Sequence, residues 1–447
     1  MFFATPERTA QVPRMKYYKS ASHAVVNRKK CLMKKSIVLI FSVILLMIAG
    51  CRTACEKQSI TPPRLKMMLP EVIYAAPGIE SNIYFDNVID SAVPGAYAFE
   101  VKCKRGTHGN KRWFWTPDKA DAGKSFDLEL RVFNDYGRVL TGKCKVVVAG
   151  EPADYNKKIT LSLLAASGSN SGYPAHLMLV MRENGFVNYT PVGKHSGGGR
   201  PVVPGGLAHD GYGGFSWNCF LERWYYLESD LPKTQTQAER EQIQAIGVRK
   251  NVRPGWEYML RSPLVKIVNG KKTVDIPGWL KAINQGKAPD FIIIQLGGND
   301  MFNAKEDNLE ERIVKVMGNA RRLLAVLRQY APETVIGVAS SPLGCSQDGF
   351  GANYKCSQSQ YQYRRNMQRY NRALAEMIKS MNDPGLQLVP LHQVLDSENS
   401  FLQKTYPVFA RSAKKVQRDS NALHYSKEGG MQIGDALYCW LRKQLEK

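Results

Sequence analysis

Two serines stand where a reactive hydroxyl would be exposed. Residues 159–166 form an apolar, β-like run, and Ser167 and Ser169 follow it in a stretch of small residues that leads into a helical pattern. A serine between a strand end and a helix N-terminus has an accessible hydroxyl and backbone N–H groups nearby, as a nucleophile requires. Small residues after a strand are also common in ordinary turns, so this segment alone is weak evidence for a catalytic site.

Two further segments offer hydrogen-bond donors for a developing negative charge. Residues 209–216 are rich in glycine, which lets backbone N–H groups such as that of Gly214 approach a ligand closely. Asn299 follows the apolar run 291–294 and carries a side-chain amide donor. Fixed donors of these two kinds are what an oxyanion needs. The alternatives are a flexible surface loop at 209–216 and an Asn-Asp turn that closes a strand.

The fourth segment supplies a candidate base. His424 precedes the last helical pattern of the chain, and it is one of only seven histidines. Histidine can accept a hydroxyl proton near neutral pH. A single histidine often has a purely structural role. The order of a serine followed by a histidine near the chain end nevertheless favours a catalytic pair.

The elements that would position these segments form a repeating pattern. β-like runs at 159–166, 291–296, 335–339 and 386–389 alternate with helical patterns near 174–184, 307–330, 359–381 and 427–445. Such alternation is typical of a parallel sheet that is covered by helices on both faces. Ligands of these sheets bind at the carboxyl ends of the strands. We therefore expect the segments that follow the strands to meet at one edge.

Residues 67–151 show a different pattern. Short alternating runs lie at 81–85, 96–102, 112–115, 126–133 and 142–149 and are separated by turn residues. This spacing predicts a small antiparallel β-sandwich of Ig-like type, followed by the α/β domain at 152–447. The sandwich contains no cluster of catalytic side chains. We expect it to act as a spacer or packing partner, with carbohydrate binding as an alternative.

The N-terminal residues resemble a bacterial lipoprotein leader. A basic start at Met33, an apolar run over 37–48 and Ala49-Gly50-Cys51 predict a lipoprotein signal at 33–50. The run is too short for a permanent membrane span, which takes about 20 residues. Cys51 would be lipidated and followed by a tether at 51–66, while residues 1–32 would be a disordered extension or a misassigned start. A plain signal peptide with an incidental cysteine is the alternative. We expect an exported protein, anchored at a bacterial membrane and facing the periplasm or the cell surface.

Charge and cysteine content bear on two further possibilities, a nucleic-acid partner and a zinc site. The chain has a formal net charge of +23, of which residues 1–50 supply +8 through nine Lys/Arg and one Glu. The remaining cations are dispersed and no zinc-finger, KH or RNP pattern accompanies them, so we expect no nucleic-acid partner. Cys103 with Cys144, and Cys345 with Cys356, are candidate disulfides. The chain has no CxxC motif, which argues against a zinc site.

The four segments, in this order, resemble the SGNH/GDSL hydrolase superfamily of esterases. The resemblance covers roughly residues 155–447 and is firmest at 297–300 and 421–429. It implies a three-layer, flavodoxin-like α/β fold in which Ser167 is the nucleophile and His424 the general base. It also implies an oxyanion hole made by the backbone N–H groups of Ser167 and Gly214 and by the side chain of Asn299.

Two departures from the family pattern leave alternatives open. The first block normally reads Gly-Asp-Ser, whereas here Ser167 follows two alanines, and a shifted alignment would make Ser169 the nucleophile. The Asp that precedes the base by three residues is replaced by Asn421. Its carbonyl oxygen could orient the imidazole, but it would stabilise an imidazolium less than a carboxylate does. Asp419 or Asp396 could supply the missing carboxylate. The protein could also work as a Ser–His dyad, or it could be an inactive relative.

The sequence therefore predicts a serine esterase that works by two-step acyl transfer with neither metal nor cofactor. Its substrate would be an acylated small molecule or polysaccharide, with a carbohydrate O-acetyl group suggested by analogy alone. The alternative function is a non-catalytic, glycan-binding surface lipoprotein with a degenerate hydrolase domain.

Overall fold

The computed structural model describes residues 65–446. The predicted extension at 1–32, the leader at 33–50, Cys51 and most of the tether lie outside the described residues. From Leu65 onward the chain forms one unit, with the strands of residues 65–149 (the strand-rich region) preceding residues 152–446 (the α/β region). None of the helices within 65–446 is long and apolar enough to cross a membrane.

The strand-rich region consists of two sheets. Its strands are β1 Val72–Ala75, β2 Ser81–Tyr84, β3 Ala98–Cys103, β4 Thr107–His108, β5 Arg112–Trp115, β6 Ser125–Asn134 and β7 Gly137–Val148. One sheet has the order β1-β7-β6-β3 and the other β2-β5-β4. Alternate residues of β6 point inward (Leu128, Leu130 and Val132) and are buried, because successive side chains of a strand face opposite sides.

Most of these strands agree with the sequence pattern, whereas β1 and β4 were missed. β1 pairs in parallel with β7 and so makes that sheet mixed. The candidate pair Cys103 and Cys144 is wrong: both residues lie opposite Leu128, on the two neighbours of β6. Strands two positions apart are separated by about 9.5 Å, beyond the reach of a disulfide. Cys345 and Cys356 are likewise free thiols.

The α/β region contains a six-stranded sheet. Five strands have the order β10-β8-β15-β16-β17, and β9 pairs with β8 on the edge that β10 also uses. Their bounds are β8 Ile159–Ala165, β9 Tyr189–Val192, β10 Asp210–Gly211, β15 Phe291–Gln295, β16 Val335–Ala339 and β17 Leu386–Val389. All of the pairings are parallel. Every residue of β8 and β15 is buried, which explains why both read as continuous apolar runs.

Helices cover this sheet. Within residues 65–446 they are α1 Tyr173–Glu183, α2 Trp217–Glu222, α3 Gln237–Ile246, α4 Ile276–Asn284, α5 Gly298–Met301, α6 Leu309–Tyr330, α7 Gln347–Tyr354, α8 Gln360–Met381 and α9 Lys427–Gln444. Several begin at a hydroxyl cap, such as Ser216 before α2 and Ser426 before α9. The predicted fold class is confirmed: a parallel sheet with covering helices, preceded by strands in separate sheets.

Three small strand pairs were not predicted. β11 Tyr226–Leu227 pairs in parallel with β12 Val248–Arg249, and β13 Val265–Val268 forms a hairpin with β14 Lys271–Val274. A second hairpin joins β18 Gln403–Pro407 to β19 Lys415–Asp419, just before His424. These strands are short and carry many charged residues, so their apolar periodicity is weak.

Buried polar contacts join the two regions. The side-chain amide of Asn87 donates to the carbonyl of Leu395 at 2.9 Å. Gln368 donates to the carbonyls of Ile89 and Ser91 at 3.0 and 2.9 Å. Because these groups are removed from water, the strand-rich region is held on the α/β region by hydrogen bonds that are costly to break.

Candidate active site

Ser167 and His424 are in hydrogen-bond contact. His424 Nε2 lies 2.9 Å from Ser167 Oγ, although 257 residues separate them in the chain. Ser167 opens the short 3-10 turn Ser167–Ser171 directly after β8, and His424 lies in the loop that follows β19. With Nε2 unprotonated, the hydroxyl donates to the imidazole, which is the arrangement that general-base activation of a serine requires.

The two serine candidates differ in their surroundings. Ser169 is buried, with 2% of its surface exposed, and its hydroxyl donates to the carbonyl of Ala166 at 2.9 Å. A Cβ placed on Gly211 would overlap Ser169 Oγ, so β10 packs directly against this side chain. Ser169 therefore stabilises the turn that carries Ser167, and of the two serines only Ser167 contacts His424.

Asn421 does not hold the imidazole. Its side-chain oxygen accepts hydrogen bonds from the backbone N–H groups of Leu423 at 3.0 Å and His424 at 2.9 Å. The predicted orienting contact to the ring is thus absent, because the short side chain caps its own turn instead. Asn421 contributes by shaping the loop that presents His424.

The two alternative carboxylates have other partners. Asp419 accepts hydrogen bonds from the backbone and hydroxyl of Ser346 at 3.0 and 2.5 Å. Asp396 accepts from the backbone N–H groups of Glu398 and Asn399. Among the described residues, no carboxylate bonds to His424, and burial lowers the pKa of its imidazole below the ordinary value. The geometry is that of a Ser–His dyad.

Asn299 lies beside this dyad. It lines the same cavity as Ser167 and His424, and its amide donates to the carbonyl of Phe215 at 2.8 Å. This bond uses one of the two amide hydrogens and fixes the side chain, leaving the second available as a donor. Asn299 thus has a place and a donor suited to a negative charge that develops near Ser167.

The two predicted backbone donors differ in placement. Neither the N–H of Ser167 nor that of Gly214 has an acceptor among residues 65–446. Ser167 lines the cavity, whereas Gly214 is exposed and does not. Gly214 immediately precedes Phe215, whose carbonyl holds Asn299. The structure therefore brings Ser167, His424 and Asn299 together and leaves Gly214 outside the lining of the cavity.

The loop that carries Asn299 depends on close packing at Gly297. Gly297 has a φ of +112°, and a Cβ there would meet the ring of Tyr370 at 2.2 Å. Asp300 accepts a hydrogen bond from the backbone N–H of Trp217, and burial raises the pKa of its carboxyl to about 7. These contacts hold α5 against α2 and so fix the position of Asn299.

The cavity around the dyad is small, with a volume of about 50 Å³. Its walls include residues that sequence reasoning missed, namely Gln295, Leu296, Ser341, Pro342, Tyr363, Phe401 and Tyr425. Gln295 is notable because its side-chain nitrogen is buried without a hydrogen-bond partner. Its position at the end of β15, in line with Ala165 on β8, was the available signal.

No cluster of three metal-ligating side chains is present among the described residues.

Several solved structures resemble the chain weakly. A family 3 carbohydrate esterase from Clostridium thermocellum is 14% identical, with 65% of this chain and 100% of that chain covered, at a TM-score of 0.37. A family two carbohydrate esterase from Clostridium thermocellum, in complex with cellohexaose, is 9% identical, with 86% of this chain and 97% of that chain covered, at a TM-score of 0.33. An extracellular lipase from Streptomyces rimosus is 11% identical, with 62% of this chain and 97% of that chain covered, at a TM-score of 0.30. No curated protein sequence matches the chain.

Residues 236–437 match the family described as GDSL-like Lipase/Acylhydrolase. The matched range includes Asn299 and His424, whereas Ser167 precedes it. The protein therefore carries a GDSL-like lipase/acylhydrolase domain in its α/β region, as the sequence resemblance predicted. It is a hydrolase that acts on ester bonds.

Proposed function

We propose that the protein is a serine esterase in which Ser167 is the nucleophile and His424 the general base. The observation that carries this proposal is the 2.9 Å contact between Ser167 Oγ and His424 Nε2 at the carboxyl edge of the parallel sheet. Asn299 and the backbone N–H of Ser167 are the proposed donors to the oxyanion, with the backbone N–H of Gly214 as a third. The absence of a carboxylate beside the imidazole among the described residues favours a dyad.

The proposed reaction has two steps, acylation of Ser167 and hydrolysis of the acyl-enzyme. Ser167 Oγ forms a bond to the ester carbonyl carbon while His424 Nε2 takes the hydroxyl proton. The tetrahedral intermediate then collapses, the bond to the alcohol oxygen breaks, and His424 returns the proton to the leaving alcohol. Water attacks the acyl-enzyme and gives a proton to His424. The acid leaves, and that proton restores the Ser167 hydroxyl.

Close packing around the nucleophile favours a short acyl group. A Cβ on Gly168 would lie 3.0 Å from the ring of Tyr425, and one on Gly298 would lie 3.3 Å from the Tyr363 hydroxyl. The walls beside Ser167 are therefore aromatic and near, with glycines where a larger residue would intrude. We propose an acetyl or similarly small acyl group as the preferred substrate portion.

Serine variants test the assignment. Ser167→Ala should abolish hydrolysis of p-nitrophenyl acetate and leave the circular dichroism spectrum unchanged. Ser169→Ala is the matched control: it removes a buried hydroxyl that bonds to Ala166, so it should lower thermal stability but retain turnover. Full activity in Ser167→Ala, or loss confined to Ser169→Ala, would overturn the assignment.

The export and anchoring of this enzyme are also proposals. The lipoprotein pattern that ends at Cys51 supports a membrane anchor, since acyl chains on a cysteine bind a protein to a bilayer surface. Cys51→Ser should release the protein from the membrane fraction without changing its specific activity. Unchanged membrane association in that variant would contradict the anchor.

A further inference from the structure

A polar groove lies next to the catalytic cavity. It is an open depression of about 520 Å³, and Asn299 lines both it and the cavity that contains Ser167 and His424. The two depressions therefore meet at the side chain that we assign to the oxyanion. A substrate whose ester lies at Ser167 would extend along this groove if it is long.

Two helices form the groove. α6 contributes Arg312, Lys315, Val316 and Asn319, which recur at intervals of three and four residues and so share one helix face. Asn308, just before α6, extends this row, and Ser216 and Asn218 lie at the start of α2. From Asn308 to Asn319 the row is about 16 Å long, which exceeds the width of one sugar ring.

The lining of the groove is largely polar and includes the carboxyl groups of Asp300 and Glu311 as well as Arg312 and Lys315. Four side-chain amides border the groove, and each offers both a donor and an acceptor. Asn218 and Asn319 make no side-chain hydrogen bond with any described residue, and Lys315 has no ion-pair partner within 65–446. These groups are free to bind a ligand. Buried Val316 supplies the apolar floor.

We propose that this groove binds the sugar residues of an acylated glycan whose ester is cleaved at Ser167. The inference rests on the proposed esterase function and names its substrate class. Amides placed on several helices around the groove match the hydroxyl groups of a sugar chain better than the tail of a lipid, which would require an apolar lining. Contacts to sugars remote from the ester increase kcat/KM for the glycan without affecting small esters.

The double variant Asn218→Ala/Asn319→Ala tests the groove. We expect unchanged kcat/KM for p-nitrophenyl acetate and a loss of about tenfold or more in acetate release from acetylated xylohexaose, because two sugar contacts are removed. Asn110→Ala is the matched control, since this asparagine is exposed in the strand-rich region, and both substrates should be unaffected. Equal rates for the double variant and the wild-type enzyme on acetylated xylohexaose would overturn the inference.

A binding measurement separates the two proposals. Calorimetric titration of Ser167→Ala protein with xylohexaose should show binding that is lost when Asn218→Ala/Asn319→Ala is added. If wild-type protein hydrolyses no ester but this binding pattern holds, the proposed function fails and the groove stands. If p-nitrophenyl acetate is hydrolysed but no oligosaccharide binds, the groove assignment fails.

Lys315 distinguishes acidic from neutral glycans. Lys315→Ala should weaken binding of a glucuronic-acid-substituted xylooligosaccharide more than binding of xylohexaose, because only the former carries a carboxylate. A greater loss for the uronate-bearing ligand would define an acidic glycan as the better substrate. Loss of binding to both ligands would define a neutral one that Lys315 contacts through hydroxyl groups, and no loss with either would remove Lys315 from the groove.

Discussion

The strand-rich region and the α/β region place their buried polar side chains differently. In the strand-rich region, the amide nitrogen of Asn87 donates to the carbonyl of Leu395 across the contact with the α/β region. In the α/β region, Ser167, Asn299 and Gln295 gather at the carboxyl edge of the sheet and line a cavity. A donor that is bonded across a buried contact fixes packing, whereas donors that line a cavity are available to a ligand. The strand-rich region therefore supports the fold, and the α/β region carries the chemistry.

Replacement of the histidine should produce the largest effect. His424→Ala removes the proposed base, and we expect kcat for p-nitrophenyl acetate to fall by about 10³-fold or more. His108→Ala, in the strand-rich region, is the control: this exposed ring packs edge-on against Phe85, and the rate should not change. Comparable rate losses in both variants would contradict the assignment of the chemistry to the α/β region alone.

Asn299→Ala should give the next largest effect. Removal of one oxyanion donor costs about 10²–10³-fold in kcat, and KM should change little because the donor acts mainly on the transition state. Asn303→Ala is an exposed control four residues along the chain and should retain the wild-type rate. A rise in KM with unchanged kcat would place Asn299 in substrate binding only.

Asn87→Ala should affect stability without affecting chemistry. It leaves the buried carbonyl of Leu395 without its donor, which costs about 1–3 kcal/mol in the free energy of unfolding. Urea titration gives the stability, and the initial rate of the folded enzyme should equal that of the wild type. A large fall in kcat at full folding would show that the strand-rich region takes part in the reaction.

The smallest expected effect is a displacement of the pH–rate profile. The base must be neutral, so kcat/KM rises with pH through the pKa of His424, which burial lowers. The pH of half-maximal activity should therefore lie below about 6.5, the ordinary pKa of histidine. Asn421→Asp adds a negative charge to the same turn and should move the midpoint to higher pH. A wild-type midpoint above the ordinary value would indicate a carboxylate partner for the imidazole.

The sequence was sufficient for features that depend on local pattern. The buried strands β8 and β15 read as continuous apolar runs, and Ser167 and Asn299 were found from residue type and position after these strands. His424 was found from its place before the last helical pattern of the chain. Parallel pairing then brings them to one edge, as Gln295 opposite Ala165 shows.

The sequence was insufficient where side-chain direction or long-range pairing decides the outcome. Asn421 can face either its own backbone or a ring, and only the turn geometry sets which. The pairing of β1 with β7 joins residues far apart in sequence, so no local pattern predicts it. The groove between α2 and α6 depends on helix packing, and its residues on α6 belong to no motif.

Active-site labelling tests the central assignment most directly. A fluorophosphonate reacts only with an activated serine, and peptide mapping by mass spectrometry locates the modified residue. We expect a single adduct on Ser167, none on Ser169, and no labelling of His424→Ala. An adduct on another serine, or a folded wild-type enzyme that hydrolyses esters while Ser167 stays unmodified, would contradict the assignment of Ser167 as the nucleophile.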